Sequence, residues 1–208
     1  MKKLSISAVL IMLAFSSLAQ VKIGLVVAPG FSSNRVKFQE DTIGNDGSEF
    51  RTKFGLEFDF QASDNYAFST GLIFAPKRVG ISVDGPNESF KEEYKVQYLQ
   101  IPATLKLFTN EVQPDLKVYF QLGFMGEILL YTEALDNNSP LIEDFRFYDF
   151  SFTGGAGVEY GAGVNTIIYG GIFYDHGLAN IVSDQAPSVN GDLTVRTRFT
   201  SLKVGLKF

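Results

Sequence analysis

Lys53-Phe54-Gly55-Leu56-Glu57-Phe58-Asp59-Phe60-Gln61, then Ser63-Asp64-Asn65, then the stretch from Tyr66 to Phe74, decide the fold. In the first part Phe54, Leu56, Phe58 and Phe60 alternate with Lys53, Gly55, Glu57, Asp59 and Gln61. After the turn, Tyr66, Phe68, Thr70, Leu72 and Phe74 alternate with Ala67, Ser69 and Gly71. Successive side chains of a strand point to opposite faces. Each half therefore has one apolar face and one polar or small face, and the short polar turn joins them as a hairpin.

The same period recurs along the chain. Leu99, Ile101, Ala103, Leu105 and Leu107 alternate with Tyr98, Gln100, Pro102, Thr104 and Lys106. Val118, Phe120, Leu122 and Phe124 alternate with Lys117, Tyr119, Gln121 and Gly123. Phe150, Phe152, Gly154, Ala156, Val158 and Tyr160 are set against Asp149, Ser151, Thr153, Gly155 and Glu159. The last residues set Leu202, Val204, Leu206 and Phe208 against Ser201, Lys203, Gly205 and Lys207. No segment after residue 19 carries a convincing helical period. The spacing predicts eight strands, over 20–28, 50–62, 66–77, 94–107, 116–131, 146–160, 165–177 and 196–208. Most reach the roughly 9–11 residues that a tilted strand needs to cross a bilayer.

The links alternate in length. Long polar ones follow strands one, three, five and seven, at Pro29–Glu49, Arg78–Glu93, Thr132–Phe145 and Leu178–Val195. Short ones follow strands two, four and six, at Ser63–Asn65, Phe108–Asp115 and Gly161–Val164. Long loops at one end and short turns at the other are the pattern of outer-membrane barrels. A bilayer offers no water to backbone amides, so a spanning sheet must close on itself. Closure puts the apolar face toward lipid. Tyr66 and Tyr160, each beside a short turn, stand where an interfacial aromatic girdle is expected.

The first residues read as an address. Met1-Lys2-Lys3 is a positive start, an uncharged run follows to Leu18, and Ser17-Leu18-Ala19 ends it with small residues. This is the three-part pattern of a secretory signal peptide, too short for a transmembrane helix. The expected organisation is a cleaved signal peptide, 1–19, and one barrel domain, 20–208. The expected fold class is all-β: an eight-stranded antiparallel up-and-down transmembrane β-barrel in the bacterial outer membrane, both mature termini periplasmic.

Composition excludes several functions. With no Cys there is no disulfide framework, thiol chemistry or Cys-based zinc site, and a lone His makes other zinc sites improbable. Loss of Lys2 and Lys3 takes the formal charge from −5 to −7, which argues against a nucleic-acid partner. The chain carries 20 Phe and 9 Tyr but no Trp, and their spacing argues against burial in a soluble core.

Tyr98-Leu99-Gln100-Ile101-Pro102-Ala103-Thr104-Leu105-Lys106, with its strand-embedded proline, resembles the "YLxIPxLLK" strand of the PorT-like outer-membrane β-barrel proteins of Bacteroidetes-type bacteria. Gly154-Gly155-Ala156-Gly157-Val158-Glu159-Tyr160 is similar to that family's "GxGxE" strand, and Tyr174-Asp175-His176-Gly177-Leu178-Ala179-Asn180-Ile181 to its "YxxGLxNI" segment. Phe208 resembles the terminal aromatic read by the barrel-assembly machinery. The resemblance implies the barrel fold and that machinery as a partner, with outer-membrane lipid around it. It assigns no activity. Gly170-Gly171-Ile172-Phe173 stands where the family commonly has an inward basic residue.

Candidate chemistry is sparse. Gly155-Ala156-Gly157 has neither the spacing nor the following helix of a dinucleotide loop, so these glycines read as close approaches inside a barrel. Asp175 and His176 are the sole acid/base candidate, and Ser183 is the nearest downstream hydroxyl. Glu57, Asp59, Lys106, Lys117, Glu159, Lys203 and Lys207 fall on the predicted lumen side. An eight-stranded barrel is just wide enough for side chains to fill, so these charges are expected to pair with one another. The acids of the long links (Asp41, Asp46, Glu133, Asp136, Glu143, Asp144, Asp184 and Asp192) show no calcium-loop spacing and read as solvated. No catalytic, cofactor or metal residue is assigned. The expected function is a non-enzymatic barrel with a structural, interaction or secretion-accessory role and an unknown protein partner outside or in the periplasm. One alternative is an outer-membrane enzyme acting on lipid or peptide at the His176 rim. Another is a secreted lipocalin-like ligand-binding barrel, although the chain lacks Trp and Cys.

Overall fold

A computed structural model describes residues 20–38, 43–84, 89–135, 141–186 and 192–208; the expected signal peptide, Asp41 and Asp136 lie outside them. The strands are β1 (Gln20–Lys37), β2 (Ile43–Asn45), β3 (Ser48–Ser63), β4 (Tyr66–Asp84), β5 (Ser89–Gln113), β6 (Leu116–Ala134), β7 (Ile142–Phe145), β8 (Tyr148–Gly161), β9 (Ile167–Gly177), β10 (Val182–Gln185) and β11 (Thr194–Lys207). Eight of them, β1, β3, β4, β5, β6, β8, β9 and β11, pair antiparallel in chain order, and β1 with β11 closes the ring. The observed architecture is thus the expected eight-stranded up-and-down barrel.

Its lower part, toward the short turns, is inside-out relative to a soluble protein. Glu57 is 1% exposed, whereas Phe54, three residues earlier and on the other face, is 54% exposed. Every face assigned from the alternation is observed. Val21 to Val27 on β1, Phe120 to Phe124 on β6 and Leu202 to Leu206 on β11 present exposed apolar side chains. Aromatic pairs tile this surface: Phe54 on Phe74 at 5.2 Å, Phe124 on Phe152 at 5.8 Å and Phe31 on Phe50 at 5.8 Å between ring centroids. An apolar belt around a closed sheet with a charged interior is the polarity that lipid demands. The lipocalin-like alternative requires the opposite polarity. Tyr66 and Tyr160 are exposed at the short-turn end, as expected.

The strands run further than the sequence predicts. The expected loop from Pro29 begins inside β1, where Pro29 pairs with Thr52 and the ladder with β11 continues to Lys37–Thr194. The expected loop Arg78–Glu93 is largely a hairpin, with β4 and β5 in register up to Asp84–Ser89. The physical reason is a change of polarity along continuous strands. On β4 the large apolar residues other than Ile73 are outward up to Phe74, then inward at Val79 and Ile81; on β5 they are inward at Tyr94, Val96 and Tyr98, then outward from Leu99 to Leu107. The strands do not turn over; the hydrophobicity changes face as they leave the belt.

Above the belt these inward residues build a core of ordinary polarity. Val79, Ile81, Tyr94, Val96 and Tyr98 pack with Leu141, Ile142 and Phe145 of the β7 segment, Ile181 and Val182 of the β10 segment, Leu193 just before β11 and Val195 within it. The small β7–β10 pair thus lids the barrel rather than looping freely in water. Hydrogen bonds fasten it: Leu141 N–H donates to Glu92 Oε2 at 2.9 Å, and Ile142 N–H donates to the Tyr94 hydroxyl at 3.0 Å.

Candidate functional site

Three polar structures distinguish this barrel: a lower charge cluster in the lumen, an upper one, and an ionic clamp on the cap.

The lower cluster is made by β3, β5, β8 and β11, whose inward positions meet near the short turns. Lys106 Nζ lies 2.9 Å from Asp59 Oδ2 and 3.6 Å from Glu159 Oε1. Lys207 bridges the same two carboxylates, 2.5 Å from Asp59. Lys203 pairs with Glu57 at 2.6 Å, and the Tyr169 hydroxyl donates to Glu57 at 2.8 Å. Three lysines face three carboxylates, so the cluster is neutral as a unit. Buried charges persist only when paired in this way. Aromatic rings fill the remaining space against glycine. A Cβ on Gly157 would come within 2.7 Å of the Tyr119 ring, and one on Gly205 within 2.5 Å of the Tyr169 ring. The glycine pattern of β8 is therefore a packing device.

The upper cluster lies where the belt meets the cap. Lys53 pairs with Asp175, whose other oxygen accepts from Thr153 Oγ1 at 2.7 Å. Lys77 Nζ lies 2.5 Å from Glu127 Oε2 and donates to Thr197 Oγ1 at 2.9 Å; Ser151 Oγ donates to Glu127 at 2.6 Å. Asp149 stands beside these with no ion pair among the described residues, accepting from the Phe150 amide at 2.7 Å and from Thr197 at 3.5 Å. Between the clusters a cavity of about 30 Å³, lined by Gln100, Thr104 and Gln121 among others, has room for only a few waters.

The sequence-assigned lumen residues are brought together as expected, with one exception. Lys117 sits half-buried at the short-turn mouth, with no ion pair among the described residues; there it lines an open pocket of about 170 Å³ with Lys22, Asp64 and Glu159. The upper cluster was not anticipated as a unit. Lys77 and Glu127 share the parity of Ser69 and Gln121, which is the signal that places them inside.

Asp175 and His176 do not form a dyad. Adjacent residues of a strand point to opposite faces. Asp175 is buried against Lys53, while the His176 ring is outside, with Nδ1 3.3 Å from the Tyr174 hydroxyl and Arg198 and Phe152 as cross-strand partners. Ser183 lies exposed on β10. The arrangement has no route for a proton between acid, imidazole and nucleophile.

On the cap, Arg78 gathers acids from three segments. It reaches Asp46 at 2.9 Å, Glu93 at 3.0 Å and Glu49 at 3.7 Å, and Lys91 meets Asp46 at 2.5 Å. The hydrogen bonds from Lys91 and Arg78 hold the Asp46 carboxyl below its usual range, and the Arg78 hydrogen bond does the same for Glu93. Burial, with Glu92 as acceptor, pushes the Tyr94 phenol up. Of the other acids, Glu133, Glu143, Asp144, Asp184 and Asp192 are exposed. Among the described residues no three acid or imidazole groups stand close enough together to hold a metal ion.

The YLxIP-like strand also resolves into packing. Tyr98, Gln100, Pro102, Thr104 and Lys106 all face the lumen and are buried. Lys77 and Lys106 lie over the Tyr98 and Tyr119 rings at 5.1 and 5.0 Å.

Residues 18–183 match a family model described as outer membrane protein beta-barrel domain. No curated protein matches the chain significantly. Among solved structures, the chain is similar to Neisserial surface protein A, with 10% identity and a TM-score of 0.52 over 90% of this chain and 97% of that one. It also matches Ail, the attachment invasion locus protein of Yersinia pestis, with 16% identity, a TM-score of 0.40 and coverage of 91% and 99%. A third match is the N-terminal barrel of Pseudomonas aeruginosa OprF, with 10% identity, a TM-score of 0.39 and coverage of 89% and 97%. At such identities the likeness to Neisserial surface protein A carries the fold alone.

Proposed function

The chain belongs to the outer membrane protein beta-barrel domain family and is a small barrel of the bacterial outer membrane, and we propose that it works there without catalysis, as a sealed platform that presents its cap to a partner outside the cell. The observation that carries this reading is the doubly closed interior. Paired charges fill the lumen at two levels, and an apolar core lids it. Such an interior counts against a conducting path or a ligand chamber. The cap, by contrast, is built from strands and fixed by Arg78, Glu92 and Tyr94 into one shape, as a recognition surface requires. The split of Asp175 from His176 counts against the enzymatic alternative. The motifs shared with PorT-like proteins leave a secretion-accessory role as the kind of platform work this chain would do. In this reading residues 1–19 are removed on export and Phe208, exposed at the end of the closing pair, is offered to the assembly machinery.

The chain has no native Cys, so orientation is open to labelling. Asn45→Cys, on the cap, is expected to react with a membrane-impermeant thiol reagent on intact cells. Asp64→Cys, in a short turn, is expected to react only after the cells are opened. The reverse pattern overturns the outward cap.

A further inference from the structure

One stretch of the outer wall gathers basic residues on neighbouring strands. Immediately above the belt, on β1, β11 and β9, outward side chains fall in rows fixed by strand register. Phe31, Thr200 and Tyr174 form the belt's upper edge. The next row is Ser33, Arg198 and His176, and the one above it sets Arg35 directly opposite Arg196. Lys37 follows two residues beyond Arg35 and is exposed.

Directly opposed residues of an antiparallel pair have Cβ atoms about 4.5–5.5 Å apart, and like charges there destabilise the sheet. Around Arg78, which faces Lys95 across the β4–β5 ladder, the protein supplies carboxylates. Here it supplies none: among the described residues no acid lies within salt-bridge distance of Arg35, Lys37, Arg196 or Arg198. The Nε atoms of Arg196 and Arg198 are shielded from solvent and have no hydrogen-bond acceptor. Guanidinium groups gathered on adjacent rows of one face in this way suit an anion with several oxygens. Arginine forks fit phosphate in two-point contacts.

The position selects the source of that phosphate. The patch faces away from the barrel axis, one residue row above Phe31 and Tyr174, at the depth where lipid headgroups meet an aromatic border. We propose that Arg35, Arg196 and Arg198, flanked by Lys37, form a binding site for the phosphate groups of a phosphorylated lipid whose acyl chains lie along the β1–β11 face. The assignment to the outer leaflet rests on the cap-outward reading; the binding itself does not.

The test uses the purified refolded barrel in detergent, with native mass spectrometry counting bound lipid. The probes are diphosphoryl lipid A, its phosphate-free counterpart and inorganic pyrophosphate. Diphosphoryl lipid A is expected to remain as one adduct, and the phosphate-free lipid is not. Arg35→Gln with Arg196→Gln is expected to weaken the adduct on the order of 30-fold, two basic contacts at roughly fivefold each. Lys95→Gln, an outward basic residue on the facing wall, is expected to leave it unchanged. Heat-modifiability on gels reports that each variant is folded. Equal retention of the phosphate-free lipid, or an unaltered adduct in the double variant, overturns the proposal. Pyrophosphate displacing the lipid at equal concentration overturns the lipid assignment in favour of a free anion. If binding holds while labelling shows the cap facing inward, the platform reading fails and the lipid site stands, serving the inner leaflet.

Discussion

Below Phe74 and Leu99 most apolar residues of β4 and β5 face outward, with Ala67, Ile73 and Phe108 turned in; above them, on the same strands, they face inward. The belt hides charge inside and shows hydrocarbon outside, and the cap does the reverse. One backbone geometry serves both because a strand's two faces are equivalent until a solvent is assigned to each. The boundary of the membrane is therefore written as a change of parity in the sequence, and the two lumen clusters divide along it. The lower cluster is a balanced set within the belt, while the upper one ties belt to cap through Lys77, Glu127 and Thr197.

The largest effect is expected at that joint. Glu127→Gln strands Lys77 in a site where its side chain is 1% exposed, and losing one member of a buried pair costs about 3–5 kcal/mol. Asp149→Asn, directly opposite Glu127 across the β6–β8 ladder but within salt-bridge distance of no lysine among the described residues, is expected to cost about 1 kcal/mol or less. Denaturant unfolding of the refolded barrel measures both, and equal losses would dissolve the distinction between paired and unpaired lumen acids.

Next in size is the contrast of surfaces. Leu122→Arg faces lipid and is expected to cost about 2–4 kcal/mol near the midplane. Asn45→Arg on the exposed cap is expected to change stability by less than about 0.5 kcal/mol. If the two behave alike in a reversible refolding assay, the belt and the cap do not face different solvents.

The smallest effect is acid sensitivity confined to the cap. Asp46 and Glu93 are held below their ordinary values of 3.8 and 4.5 by Lys91 and Arg78. A depressed carboxylate contributes stability above its unfolded value and loses it as pH falls through its folded value. Cap protease resistance is thus expected to be complete above about pH 4.5 and to fall below about pH 3.8, with the belt strands still protected. A cap that loosens as pH rises from neutrality would contradict the clamp.

Most of the belt was legible in the sequence because lipid enforces period two without exception from Phe54 to Phe60 and from Leu99 to Leu107. The cap was not, for a definite reason. Arg78, Gly80 and Ser82 look like loop because the polar residues have moved to the outward face, while Val79 and Ile81 continue the alternation with the opposite parity. A reading tuned to one polarity ends the strand there. The short apolar runs of β7 and β10 carry no period of their own, and only packing against Tyr94 and Val195 gives them structure. The lumen pairs were legible as a set and not as partners, since register decides which lysine meets which acid. His176 beside Asp175 looked chemical in one dimension, and the pleat separates them.

The change of parity on β5 is the claim most open to direct test. Spin labels placed one at a time on cysteines at the outward positions 91, 93, 95, 97, 99, 101, 103, 105 and 107 report whether each side chain meets lipid or water. Collisions with oxygen are predicted to dominate from 99 to 107, and collisions with a water-soluble nickel chelate from 91 to 97, with the crossover between Gln97 and Leu99. Lipid contact continuing through 91, or water contact extending down to 103, would contradict it.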